Sequence, residues 1–249
     1  MLETLNKYLF LGLLLVFIFT FFSRNNVRSV NEVVSAIIEE PLQSQIYNHD
    51  TIKFVRNGYE YSLTPLFDYE INGLLLSKMN YNLFSTDKFE RLFPFDVCLI
   101  WGSNVARGLY RDRRVRFSQD CRWCWADWYG DVNFNLNELS NNHLLVDNNK
   151  VLELLKFMVR GDQIKIKGKL VNIQAKLANK PGPYDITWNS SLSRQDTGAG
   201  ACELIYVEQA EILKKANVIS RTLFRFSSYA LLFLITWKII NFIRELIVD

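Results

Sequence analysis

Hydrophobic positions crowd the two ends of the chain and alternate with polar ones between them. Lys7 and Arg24 bracket sixteen uncharged residues, Tyr8 to Ser23, mostly Leu, Phe, Ile and Val. A membrane helix needs about 17–25 apolar residues, so this run is slightly short unless Lys7 and Arg24 extend their charges to the headgroups. A cleaved signal peptide has a similar pattern, but no small-x-small site follows Thr20-Phe21-Phe22-Ser23-Arg24. An uncleaved anchor over 1–24 is the expectation. Phe226 to Ile243 is a second apolar run with one charge, Lys238, preceded by Arg221 and Arg225 and followed by Arg244. Its polar positions (Ser227, Ser228, Thr236, Lys238, Asn241) do not form the charged face of an interfacial helix, so 221–249 reads as a second span.

Between the ends, the pattern predicts one domain over 25–220. Ser29 to Ile38 has apolar residues at helical spacing, with Ser29 and Glu32 as a capping box and Pro41 as its stop. Strands follow at Thr51–Val55 and Tyr59–Leu63 around an Asn57-Gly58 turn. Further strands are expected at Tyr69–Ser77, Val97–Trp101, Trp123–Tyr129, Asp185–Ser190 and Cys202–Leu213. Leu136–Leu145 is ambiguous. Val151–Val159 reads as a helix, and Gln163–Gln174 as a half-exposed antiparallel strand with a bulge at Gly168. The sum is an α+β fold, a mostly antiparallel β domain flanked by N- and C-terminal transmembrane helices. The strands around Gly168 and Leu204–Val207 would suit a small OB-like barrel.

Two spans put both termini on one side of the bilayer and the domain on the other. Arg24, Arg28, Lys214, Lys215, Arg221 and Arg225 flank the domain side, against Lys7, Lys238 and Arg244 opposite. That count favours a cytoplasmic domain, although long domains obey the rule weakly.

Composition excludes disorder and low complexity: of 249 residues, 49% are hydrophobic and 22% charged, with 11 Gly and 5 Pro. A net charge of +3 does not call for a polyanionic partner. Arg107 to Tyr129 (RGLYRDRRVRFSQDCRWCWADWY) is the densest chemical segment, with six Arg less three Asp giving +3. Arg111, Arg113, Arg114, Arg116, Arg122, Trp123 and Trp125 are its candidate binding residues. Guanidinium forks grip phosphate or carboxylate, and exposed aromatics stack on bases, sugars or protein. The alternatives are a solvated hairpin or contact with anionic lipid.

Cys121-Arg122-Trp123-Cys124 is a CxxC without a helix N-terminus to activate it, so a Cys121–Cys124 disulfide or idle thiols are expected ahead of zinc or redox catalysis. Asp196-Thr197-Gly198-Ala199 matches the aspartic-protease tetrapeptide but follows Ser193-Arg194-Gln195 rather than a hydrophobic strand, and reads as a turn. Asn142, His143, Arg194, Asp196 and Glu203 form a polar group to watch. A tethered hydrolase would require His143, Arg194, Asp196 and Glu203 to converge in one pocket. No nucleotide-binding loop, nucleophile elbow or zinc-protease motif occurs, so neither a metal nor a cofactor is expected.

Tyr69–Ser77, Asp96–Gly102 (DVCLIWG), Ser140–Leu145 (SNNHLL), Gly161–Val171 (GDQIKIKGKLV) and above all Trp188–Val207 (WNSSLSRQDTGAGACELIYV) resemble a family of uncharacterised membrane-anchored or exported proteobacterial proteins. The resemblance covers roughly Tyr69 to Leu213. Cys98 and the C-terminal apolar run lie outside its usual pattern. It implies a bacterial inner-membrane protein with an exported domain and no assigned activity, against the cytoplasmic side favoured by the charge count. A non-catalytic binding domain is the expected function, with the lipid bilayer and other membrane or envelope proteins as partners. Nucleic acid is the weaker alternative.

Overall fold

The computed structural model describes residues 2–47, 49–81, 92–120, 123–179, 181–195 and 202–248, with backbone alone at 2–6 and 245–248. Two compact units emerge, Met1–Val30 with Ala216–Asp249, and Asn31–Lys215.

The first unit is a helical hairpin of α1 (Leu2–Ser23) and a long C-terminal helix (Val218–Val248). Phe17 stacks on Phe224 at 5.1 Å, and the Arg24 guanidinium lies 3.7 Å from the Phe224 ring centre. Thr20 and Ser227 are buried, their hydroxyls donating to Val16 O and Phe224 O. Asn217, at φ 50°, ties the ends together by donating to Asn26 O and accepting from Ser29 Oγ. Among the described residues only Val218–Arg244 is long and apolar enough to cross a membrane; the α1 stretch, Lys7–Ser23, is shorter.

The second unit is α+β, with a mostly antiparallel sheet. Its strands are β1 (Leu42–Gln45), β2 (Ile52–Arg56), β3 (Tyr59–Asn80), β4 (Phe95–Ile100), β5 (Val115–Gln119), β6 (Cys124–Trp128), β7 (Leu139–Leu145), β8 (Gln163–Leu177), β9 (Ile186–Trp188) and β10 (Glu203–Lys214). Strands β3, β4, β7, β10 and β8 pair in that order, and β8 returns to β3, closing a ring. Only the β7–β10 pairing within it is parallel. Strands β5 and β6 form a separate hairpin.

Period-2 alternation explains why the ring wall is buried on both faces. Leu144, Leu170 and Ile205 belong to one apolar cluster, and their chain neighbours Leu145, Val171 and Leu204 to another. The 22-residue β3 serves both clusters because its register slips between Pro65 and Phe67. Pro65 lacks an N–H and sits at the bulge, where a missing ladder donor is tolerated.

The two short helices are α2 (Gly102–Ala106) and α3 (Asn149–Phe157); the C-terminal helix is therefore α4. Leu155 of α3 and Met158 join the first cluster. Lys78 of β3 donates to Leu155 O at 2.8 Å and Lys156 O at 3.0 Å, satisfying carbonyls of the last turn. Burial lowers its ammonium to about 8. Lys78→Met should cost about 1–2 kcal/mol, with faster amide exchange in α3 as the readout. Unchanged exchange would remove the anchoring role.

The helix expected over Ser29–Ile38 does not form. Two 3-10 turns, Val27–Ser29 and Ser35–Ile38, replace it, with extended backbone between. The buried Gln163 amide donates to Glu32 O at 2.6 Å and accepts from Val34 N at 2.7 Å, bonds that a helix would have taken for itself. The bulge also moves: the extra residue is Glu208 of β10, between Val207 and Gln209, and Gly168 lies opposite it.

Candidate functional site

The β5–β6 hairpin sorts the Arg–aromatic segment by face. Val115 pairs with Trp128, Phe117 with Ala126 and Gln119 with Cys124, so these six share one face, on which Val115 and Ala126 are buried and Trp128 stays partly open. Trp128 and Phe117 meet Phe134 at 5.2 and 6.0 Å, and Gln119 donates to Asn141 Oδ1 at 2.8 Å. The opposite face carries Arg116 with Asp127, Ser118 with Trp125, and the Arg114–Tyr129 end. Arg113, Arg116, Trp125 and Tyr129 are exposed.

The candidate arginines are not equivalent. Arg114 is held by Asp112 and donates to Asp131 O, so it fixes a turn. Arg111 donates to the Tyr110 hydroxyl at 3.0 Å. Arg113 and Arg116 remain as exposed cations, Trp123 is half-buried, and Arg122 lies outside the described residues.

Cys124 is disulfide-bonded to Cys98 of β4, with Cα atoms 5.6 Å apart, in place of the Cys121–Cys124 pairing expected from the CxxC. Hairpin packing over β4 brings those two Cα atoms within disulfide range. Cys121 lies outside the described residues. The bond anchors the hairpin covalently to the barrel.

The polar group divides between the two faces of the β7–β10 pair. Glu203 is in register with Asn142, and Leu204 with His143. On the first face, buried Glu203 pairs with Arg194, which also donates to the Tyr69 hydroxyl. The guanidinium lies 5.1 Å from the Tyr69 ring centre and 5.4 Å from that of Trp101. Asn142 donates to Ser140 Oγ at 2.9 Å.

On the second face, His143 is 1% exposed, with Nδ1 2.7 Å from Asp96 Oδ2. Tyr81 donates to the same carboxylate oxygen at 2.8 Å. The Phe93 and Trp188 rings lie 4.8 and 4.9 Å from the imidazole. Burial pulls the imidazole pKa down, but Asp96, helped by a side-chain hydrogen bond with Cys202, outweighs it and raises it to about 10.

His143, Arg194 and Glu203 therefore do not converge. Asp196 lies outside the described residues. Asp96, the ion-pair partner of His143, and Tyr81, which donates to that carboxylate, are what sequence reasoning missed. A signal was present: Asp96 is the sole charge from Phe93 to Trp101, and a carboxylate in such a run needs a buried partner. No metal-competent cluster of His, Cys, Asp or Glu occurs among the described residues. Comparison with family models, curated proteins and solved structures gives no match.

Proposed function

We propose that this chain is a bacterial membrane protein, anchored by α1 and α4 as a two-span hairpin, whose barrel domain binds another envelope or membrane protein without catalysis. The carrying observation is the β5–β6 hairpin, tied to β4 through Cys98–Cys124 and presenting exposed Arg113, Arg116, Trp125 and Tyr129 outward. Arginine and large aromatics anchor protein interfaces, and a covalent tether lowers the entropic cost of presenting them. Packing of α1 on α4 supports the second span, since the shorter apolar run gains a neighbour within one unit. The disulfide supports an oxidising compartment, hence an exported domain, and leaves nucleic acid out of the reading. The ring order β3-β4-β7-β10-β8, with a helix between its third and fourth strands in sequence, supports an OB-like barrel.

A photo-crosslinking side chain at Trp125 in intact cells should capture a discrete membrane or envelope protein. The same group at Val55, exposed on β2, should not. Combined Arg113→Ser and Arg116→Ser changes should abolish the Trp125 adduct. Identical adducts at both sites, or an adduct indifferent to both arginines, would remove the hairpin from the binding role.

A further inference from the structure

A thiol, a disulfide and a charged imidazole share one face of the barrel wall, independently of the binding reading. Cys98 on β4 is in register with Asn141 on β7. The parallel β7–β10 ladder begins at Glu203 opposite Asn142, which brings Cys202 level with Asn141 from the other side. Asp96, His143 and Leu204 form the adjacent row. By strand alternation Cys98 and Cys202 share their face with Asn141, the residue that both flank.

We propose that Cys202 is the attacking thiol of an internal thiol–disulfide exchange that transfers Cys124, and with it the β5–β6 hairpin, from Cys98 on β4 to Cys202 beside β10. Neighbouring strands are about 4.8 Å apart, which puts the Cys98 and Cys202 backbones roughly 10 Å from each other. A disulfide spans no more than about 7 Å between Cα atoms, so those two residues cannot join across β7. The sulfur that can serve both is that of Cys124. Its hairpin lies over the column between them, since Gln119, the cross-strand partner of Cys124, bonds to Asn141. Among the described residues the hairpin strands pair only with each other, so a shift breaks no described ladder bond of the barrel.

In the exchange, Cys202 gives its proton to a solvent base, and its sulfur attacks Cys124 Sγ. The Cys202–Cys124 bond forms as Cys98–Cys124 breaks; Cys98 leaves as thiolate and takes up a proton. Electrons balance within the three sulfurs, so no oxidant or reductant is consumed. His143, kept positive by Asp96, is the cation in the adjacent row, placed to offset the negative charge that passes among the three sulfurs during the exchange. Cys98 and Cys202 are 0% and 5% exposed, which favours reaction within the chain over attack by dissolved thiols. A buried cysteine can also be an inert apolar filler. Here the thiol instead stands one row from the Asp96–His143 ion pair on the same face of the wall, a charged neighbourhood that an apolar filler does not require.

The test uses the full chain in detergent, with Cys121→Ser so that three cysteines remain. Protein incubated in mildly alkaline buffer is quenched in acid, labelled with N-ethylmaleimide under denaturing conditions and mapped without reduction. The expected result is a growing fraction with Cys124 joined to Cys202 and the label on Cys98. His143→Gln should slow its appearance about tenfold. As a second measurement independent of that variant, Cys98→Ser protein exposed to oxidised glutathione should acquire a Cys124–Cys202 bond. Label confined to Cys202 throughout, or Cys98→Ser protein carrying only glutathione adducts, would overturn the exchange.

Discussion

Gly168→Ala should prevent the barrel from holding its fold, with a loss of about 4 kcal/mol or more. A Cβ at Gly168 would lie 1.9 Å from Tyr206 O, 2.9 Å from Tyr206 C and 3.1 Å from Glu208 N. All three are backbone atoms, so no side chain can rotate away. The approach follows from the extra residue Glu208 in β10, which bulges beside Gly168. Because β8 pairs with both β10 and β3, relief would have to come from parting the ring. Gly73→Ala is the comparator. Its Cβ would meet Leu99 Cβ at 3.2 Å and Ile100 O at 3.3 Å, a crowding that shifts of a few tenths of an ångström relieve. Thermal unfolding of the full chain in detergent should separate the two variants widely. Equal midpoints would show that the β8–β10 approach is slack.

Asp96→Asn should cost about 3–5 kcal/mol at neutral pH, because it leaves a buried imidazole without its counter-charge. Below an ordinary histidine value of 6.5 the native pair contributes fully. As pH rises towards about 10, the unfolded chain has already lost its imidazole proton while the native chain retains it. Stability from the pair therefore falls with rising pH across that window. Lys78 works in the opposite sense. Its lowered pKa, about 8 against 10.5, means that stability rises as the ammonium deprotonates in that upper interval. The informative quantity is thus the difference in unfolding temperature between native and Asp96→Asn protein, in which the Lys78 contribution cancels. It should shrink from pH 6.5 towards 10. A difference independent of pH would mean that His143 is not held charged by Asp96.

Turn and strand chemistry that acts over a few residues was legible from the sequence. Asn57 and Gly58 take φ of 49° and 80°, the left-handed turn that Asn-Gly predicts, and β2 and β3 follow on either side. The alternation IKIKGKL reappears as β8, with Ile164 and Ile166 buried. The apolar Val151–Val159 becomes α3, bounded by the Asn148 cap. The Ser29–Ile38 expectation failed because spacing, capping box and proline stop are all local signals. The backbone there is bonded by Gln163, more than a hundred residues away, and no local pattern encodes such a partner.

The sequence alone determined the long apolar C-terminal helix, the β-rich character of the middle, and the opposed faces of adjacent polar residues. Cys202 and Glu203 are chain neighbours in a segment that reads as a strand, and a strand must send neighbours to opposite sides; for Asn142 and His143, in the ambiguous Leu136–Leu145, the strand itself came from the structure. Tertiary structure alone decided which faces met. Closure of β8 onto β3, Cys98 as the partner of Cys124, and the pairing of Asp96 with His143 all depend on register between strands distant in sequence. Register is a collective outcome of packing, since a slip of one residue exchanges every side chain between the two faces.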